Sequence, residues 1–236
     1  VQFCVDLEES FPENNNSGMI GIDLGLEYFY SDSQGKQVDH PRFLRKAEKS
    51  IKHCQRQIYS KKKGSNNRKK ASKRAARKHL KVQRQREEFC KRKARNLCWA
   101  NAKVVIEDLN VSGMVRNHKL AKSISDAAWS TFVQWLEYFG QKLGCEIIKV
   151  APHFTSQICS KCGEKTKKSL SQRTHKCKHC GHIENRDVNA AKVILSRGID
   201  QLPEGIREVT LRETFTSTNL SESLVLASDV NELRIP

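Results

Sequence analysis

Cys159-Ser-Lys-Cys162 and Cys177-Lys-His-Cys180 are two Cys-x-x-Cys knuckles separated by 14 residues. Four thiolates at this spacing match the ligand count of a tetrahedral Cys4 zinc ribbon. Gly163 and Gly181 directly follow the second cysteine of each knuckle, where a tight turn presents backbone N–H groups to the sulfurs. Two disulfides are the alternative. Nothing else in the chain has a secreted character and disulfides are rare in reducing compartments, so Zn²⁺ is the expected occupant. Asn185-Arg-Asp-Val-Asn-Ala-Ala191 follows at once, which sets Asp187 a few residues beyond the ribbon.

Two further carboxylates stand at positions that chemistry prefers. Asp23 interrupts the apolar run Met19-Ile-Gly-Ile-Asp-Leu-Gly25, where an unpartnered carboxylate is costly. Glu107 ends the apolar run Lys103-Val-Val-Ile-Glu107. Asp187 begins a helix, whose N-terminal dipole favours an anion. Carboxylates from two strands and a helix start can hold two Mg²⁺ ions about 4 Å apart for phosphodiester cleavage, and Mg²⁺ takes hard oxygen ligands. Each acid also has a structural reading: a turn cap for Asp23, a salt bridge for Glu107 and an N-cap for Asp187.

The elements that must position these groups read as a mixed α/β pattern. Val1 to Leu7 alternates like a strand, and Glu8 to Ser17 is a polar linker. The strand carrying Asp23 is followed by a hairpin, Tyr28-Phe-Tyr-Ser-Asp, Ser33-Gln-Gly35 and Lys36-Gln-Val38. His40-Pro41 opens a helical arm, with Leu44, Ala47, Ile51, Cys54 and Ile58 forming a thin apolar seam. A hinge at Lys61–Asn67 leads to a second helix from about Arg68 to Asn101, with Ala75, Val82, Phe89 and Asn96 at heptad spacing. Two antiparallel helices on so narrow a seam predict an arm rather than a core. After the Glu107 strand comes a polar loop, then a helix N-capped by Ser125 or Asp126 and closed by Gly144. Its apolar stripe is Trp129, Phe132, Val133, Leu136, Phe139 and Gly140. Cys145–Val150 is another strand, and a last helix runs from Asp187 to about Arg197, stopped by Gly198. The tail from Gly198, with 3 basic and 7 acidic residues, is expected to be mostly disordered.

Charge is concentrated in the arm. The 236-residue chain carries +17, and residues 42–95 hold 23 Lys/Arg against 3 Asp/Glu, so the remainder is slightly acidic. A near-neutral body with one basic arm points to a polyanion, most simply nucleic acid. A solvated charged helix would show balanced charge, and a membrane-surface helix would need a Trp/Phe/Leu face that the arm lacks. The candidate nucleic-acid contacts are Arg42, Arg45, Lys46, Lys49 and Arg56 on the first helix and Lys69, Lys70, Arg74 and Arg77 on the second. Arg186, beside Asp187, either meets a scissile phosphate or pairs with an acid of the core. Asn110 and Asn189 either orient water or cap chain ends. Of nine cysteines, Cys4, Cys54, Cys90, Cys98 and Cys145 show no pairing logic, which fits free thiols in a cytoplasmic protein. No stretch approaches 18 apolar residues and no signal peptide is evident.

Gly21-Ile-Asp-Leu-Gly25, His40-Pro-Arg-Phe-Leu-Arg-Lys-Ala47, Val105-Ile-Glu-Asp-Leu-Asn110, Ser156-Gln-Ile-Cys-Ser-Lys-Cys-Gly163 and Asn185-Arg-Asp-Val-Asn-Ala-Ala191 together resemble the TnpB family. These are OrfB-type proteins of bacterial insertion sequences, related to type V CRISPR effectors. Gly113–Asp126 fits the family's segment after the second acid. The resemblance covers about residues 19 to 197. It implies a RuvC-like nuclease of RNase H fold, a mixed sheet with an inserted basic helical hairpin and a Cys4 zinc ribbon. Asp23, Glu107 and Asp187 would bind catalytic Mg²⁺ or Mn²⁺. Cys159, Cys162, Cys177 and Cys180 would bind structural Zn²⁺. Guide RNA and target DNA are the implied partners, in a bacterial, nucleoid-associated setting, with the arm along the heteroduplex.

The implied organisation is the end of a wedge-type domain and linker (1–18), a nuclease core (19–152) with the arm (41–102) inserted, the ribbon (153–183), the last core helix (184–198) and the tail (199–236). Full family members carry a large N-terminal region ahead of the first Asp, so this chain is expected to be N-terminally truncated. A non-cleaving DNA- or RNA-binding remnant or regulator is the alternative function. A strand-transferring transposase shares the fold, but a ribbon placed before the last acid favours the TnpB type.

Overall fold

The computed structural model describes residues 18–167, 169 and 172–207. The expected strand at Val1–Leu7, the linker after it and the tail beyond residue 207 lie outside them. β1 (Met19–Leu24), β2 (Tyr28–Asp32) and β3 (Gln37–Asp39) open the chain as an antiparallel meander. The expected hairpin turn is present: Gly35 takes φ 93° and the Asp32 carboxylate accepts the backbone N–H groups of Gln34 and Lys36 at 3.1 and 2.8 Å. α1 (Phe43–Tyr59) and α2 (Asn66–Ala100) follow, then β4 (Lys103–Glu107), α3 (Val111–Val115), α4 (Ala121–Ala127), α5 (Trp129–Leu143) and β5 (Glu146–Val150). β6 (Thr174–Lys176), β7 (Ile183–Asn185) and α6 (Arg186–Asp200) complete the order.

β4 and β5 add to β1 in parallel, giving a five-stranded mixed sheet in the order β3-β2-β1-β4-β5. Strand alternation sends successive side chains to opposite faces. Ile20, Ile22, Val104 and Ile106 pack against Cys90, Ala94 and Leu97 of α2 and Phe132 and Leu136 of α5. Met19, Val105, Ile148 and Val150 pack on the other side, with Ile194 and Ile199 of α6. Burial of each such large side chain contributes about 1.5–3 kcal/mol, so helices on both faces hold the sheet. Gly21 lets α6 approach: a Cβ there would stand 2.3 Å from the Ala191 carbonyl oxygen.

Several expectations are corrected. α2 is only partly an arm. Its buried track runs through Ala71, Ala75 and Val82, then shifts to Cys90, Ala94, Leu97 and Cys98, which enter the core, while Asn96 is exposed. A straight helix drifts relative to a heptad repeat, so the face that meets α1 near the tip becomes the face that meets the sheet and α5 at the base. The segment after β4 is not only loop, since Asn110 caps α3 by accepting the N–H of Gly113 at 2.9 Å, and α4 follows. Neither Ser125 nor Asp126 caps α5; both lie inside α4, and the turn between them is Ala128 at φ 56°. Gly198 does not stop the last helix. It lies within α6, where a Cβ would meet the Val105 methyl groups at 2.6 Å. The glycine serves a close approach rather than a stop.

A candidate two-part site of carboxylates and cysteines

Ile22 and Ile106 are register partners on parallel β1 and β4, so Asp23 and Glu107, each one residue on, are neighbours at the C-terminal ends of these strands. Two residues before them, Gly21 and Val105 face α6. The period of two therefore sends both carboxylates to the α6 side. Asp187 lies in the first turn of α6. Asn185 takes the capping role there, its Oδ1 accepting from Asp187 N at 2.9 Å and Val188 N at 3.3 Å. Asp187 is thereby left free of the capping task.

The three acids interact through space. Burial, then the charges of Glu107 and Asp187, push the Asp23 carboxyl up to about 8, against a smaller opposing effect of Arg186. Burial also raises Glu107, opposed by a hydrogen bond from Thr155 and by the charge of Arg197. Asp23 is poorly compensated by the protein alone, and a hard divalent cation is a natural counter-charge there. The Thr155 hydroxyl donates to Glu107 Oε1 at 2.5 Å, and the preceding Phe154 holds φ 62°. A cleft of about 350 Å³ opens beside Glu107 on the α5 side, walled in part by Leu24, Asn110, Val133 and Lys149, and Asp23 and Asp187 do not line it; wider grooves lie along α2.

Arg186 pairs with Asp187 at 3.0 Å and donates to the Gln172 carbonyl at 3.2 Å. Arg173 stands 3.7 Å from the same carboxylate and 2.7 Å from Glu27. Arg173 escaped the sequence reading because its neighbours Gln172 and Thr174 match no motif; only its place 14 residues before Asp187 could have drawn notice.

The cysteines converge. Cys159, Cys162, Cys177 and Cys180 place all four sulfurs within 4.8 Å of one another, the only group of three or more His, Cys, Asp or Glu residues so close among the described residues, so the three acids stand further apart than this. Cys159 and Cys180 are 3.7 Å apart and Cys162 and Cys177 are 3.6 Å apart. Disulfides need about 2.05 Å, whereas a tetrahedron with Zn–S bonds near 2.3 Å sets sulfurs about 3.8 Å apart. The tetrad therefore fits a metal such as zinc. Gly163 and Gly181, at φ 75° and 73°, close the two knuckle turns by donating to the Cys159 and Cys177 carbonyls. Backbone N–H groups, that of Cys180 foremost, draw the Cys177 thiol down, while Cys162, which faces it, is raised in spite of a backbone hydrogen bond at Glu164. Asn189, fully buried on α6, clamps the first knuckle: it accepts from Ser160 N at 3.0 Å and donates to the Ile158 carbonyl at 2.7 Å.

The nine candidate arm cations are exposed on α1 and α2 or at the Arg42 turn before them, and of the ten candidate cations Arg186 is the one that pairs with an acid of the site. No helix among the described residues is long and apolar enough to cross a membrane.

Residues 2–118 match the family OrfB_IS605, described as "Probable transposase", and residues 129–194 match the Cas12f1-like TNB domain. Among curated relatives, a Streptomyces pristinaespiralis protein named "Putative RNA-guided DNA endonuclease" is 36% identical over 190 residues, covering 80% of this chain and 47% of that protein. InsQ of Escherichia coli (strain K12), which carries the same descriptive name, is 30% identical over 214 residues, covering 84% of this chain and 53% of its own. The chain thus spans about half the length of these relatives. Its fold is similar to that of a solved Cas12f1–sgRNA–target DNA complex, with TM-score 0.54, 21% identity, and 79% of this chain and 51% of that one covered. A CRISPR-Cas12f ternary complex gives TM-score 0.58 at 23% identity, covering 81% and 41%.

Proposed function

The chain belongs to the OrfB family of TnpB-type proteins, and from that premise we propose that it is the nuclease portion of an RNA-guided DNA endonuclease. The sheet with its flanking helices is read as a RuvC-like core of RNase H type over 19–152, completed by the helix at 184–198. The insertion at 153–183 is read as a zinc ribbon. The observation that carries the proposal is the side-by-side placement of Asp23 and Glu107 at the ends of β1 and β4, with Asp187 at the start of α6 near enough for its charge to add to the effect of burial on Asp23.

In this reading Asp23, Glu107 and Asp187 hold two Mg²⁺ or Mn²⁺ ions. Bound there, the ions supply a water nucleophile at neutral pH and Lewis-acid stabilisation of the leaving oxygen. The protein's own contribution is placement. Parallel register aligns two carboxylates on one face, Thr155 fixes the rotamer of Glu107, and Arg186 steadies Asp187 when no cation is present. The tetrad binds Zn²⁺ and, through Asn189, ties the ribbon to the helix that bears Asp187. The exposed cations Arg42, Arg45, Lys46, Lys49, Arg56, Lys69, Lys70, Arg74 and Arg77 bind phosphates of a guide–target duplex, reading backbone and shape rather than base identity.

The deciding experiment is Mg²⁺-dependent cleavage of labelled single-stranded DNA by the zinc-loaded chain, beside Asp187→Ala. Cleavage that disappears in the variant supports the proposal. Salt-sensitive binding with no cleavage by either protein would replace it with a nucleic-acid-binding function.

A further inference from the structure

We propose that the groove between α2 and α5 is a binding path for single-stranded nucleic acid, separate from Asp23, Glu107 and Asp187. It lies on the face of the sheet opposite α6 and shares no residue with the carboxylates.

The groove encloses about 690 Å³ and combines two kinds of side chain. Its floor is an aromatic cluster on α5: Trp135 stacks on Phe139 with centroids 5.7 Å apart, and Tyr138 meets both rings edge-on at 5.4 and 5.1 Å. Tyr138 is 48% exposed, so part of this cluster faces water. Its rim is cationic. The ammonium of Lys91 stands 5.1 Å from the Trp135 ring and that of Lys142 stands 5.9 Å from Tyr138, while Arg95 lines the same wall against a single acid, Glu87. One helical turn beyond Arg95, Trp99 is 65% exposed. Residues 91, 95 and 99 share one face of α2 at four-residue spacing.

Exposed aromatic surface gathered beside a cationic rim marks an interaction site. A purely apolar partner would strand the lysines and arginine, and a duplex hides its base faces. A single strand meets both demands, setting phosphates on the cations and stacking unpaired bases on the rings. The lysines parked over the rings in the free protein keep the aromatic faces covered by groups that a phosphate can draw aside.

The test exploits the chain's three tryptophans. Trp129 is buried, Trp135 lines the groove and Trp99 stands exposed one helical turn past its Arg95 wall. The full chain is titrated with unlabelled dT20 while tryptophan emission is followed, beside anisotropy of a labelled dT20. The expected result is saturable, salt-sensitive quenching. A Tyr138→Ala/Lys142→Glu variant, altered only at exposed positions, should lose about tenfold in affinity by the quenching signal and keep the wild-type circular dichroism. Trp99→Phe should lower the quenched amplitude. Rising anisotropy with unquenched emission would overturn the site, since the arm alone would then bind. Equal quenching by a 20-bp duplex would overturn the assignment to single strands. A dimer broken by Tyr138→Ala would give the groove to a second copy instead.

Discussion

The hydroxyl of Thr155 donates to Oε1 of Glu107 across 2.5 Å, joining the first residues after β5 to the acid that ends β4. A hydrogen-bonded carboxylate keeps one orientation and leaves its second oxygen for other partners. Groups that orient metal ligands typically affect affinity or activity about 10–100-fold when removed. Thr155→Val should therefore slow cleavage about tenfold or more in single-turnover assays and raise the Mg²⁺ concentration needed for half-maximal rate. Thr155→Ser, which retains the donor, should recover most of the loss. Equal rates for all three proteins would remove Thr155 from the site.

A second expectation concerns the metal-free protein. Asp23 has its carboxyl raised to about 8 in the fold, against about 3.9 when unfolded. A raised pKa favours the folded state while the group is protonated; that contribution is complete below pH 4 and is lost as pH rises toward 8. In a chelator, Asp23→Asn should thus raise the unfolding temperature by several degrees at pH 8 and change it little at pH 4. Saturating Mg²⁺ should narrow the gap by stabilising the parent alone. A variant less stable than the parent at pH 8 would contradict the assigned environment.

Much of this was legible in the sequence, for local reasons. The hairpin reads from alternation and Gly35, the knuckles from cysteine spacing, and the two acids from carboxylates set in apolar runs. What stayed hidden depends on partners distant in the chain. Asp126 reads as an N-cap for the helix after it, yet it serves the start of α1, 82 residues earlier. Gly198 reads as a stop because nothing local reveals Val105 beneath it. Arg173 carries no motif and acquires meaning only from Glu27 and Asp187. The aromatic stripe of α5 was visible as core, but its exposed edge at Tyr138 depends on how far α2 covers it.

Asn189 links the cysteine tetrad to α6 through Ser160 and Ile158. Its two hydrogen bonds are part-buried, so their loss leaves backbone groups poorly satisfied, at a cost of about 1 kcal/mol. Asn189→Ala should lower thermal stability accordingly and release zinc faster to a chromogenic chelator, although no cysteine has changed. Chelation of the parent should raise hydrogen exchange at the Ser160 amide while the amides of β1 and β4 stay protected. Unchanged zinc release in Asn189→Ala would show that the ribbon holds its metal independently of the helix.

Asp126 anchors the arm. It is 8% exposed and accepts from Leu44 N at 3.0 Å, capping an α1 whose own N-cap residue, Arg42, makes no side-chain cap. The same carboxylate pairs with Arg86 of α2 at 2.9 Å, so one side chain fixes the roots of both arm helices. Asp126→Ala removes a cap and leaves Arg86 part-buried without its counter-charge, for a loss of about 3 kcal/mol. Replacing both partners, Asp126→Leu with Arg86→Met, should cost less, because no charge is left behind. Hydrogen exchange gives the sharper reading: in Asp126→Ala the amides of Leu44 and Arg45 should exchange faster while those of α5 hold. An arm that frays at its root presents its cations less rigidly, so affinity for duplex nucleic acid should fall severalfold with little change in salt dependence, the phosphate contacts being the same in number. A variant whose α1 amides stay protected would mean that packing at Ile51 and Cys54, not this carboxylate, holds the arm in place.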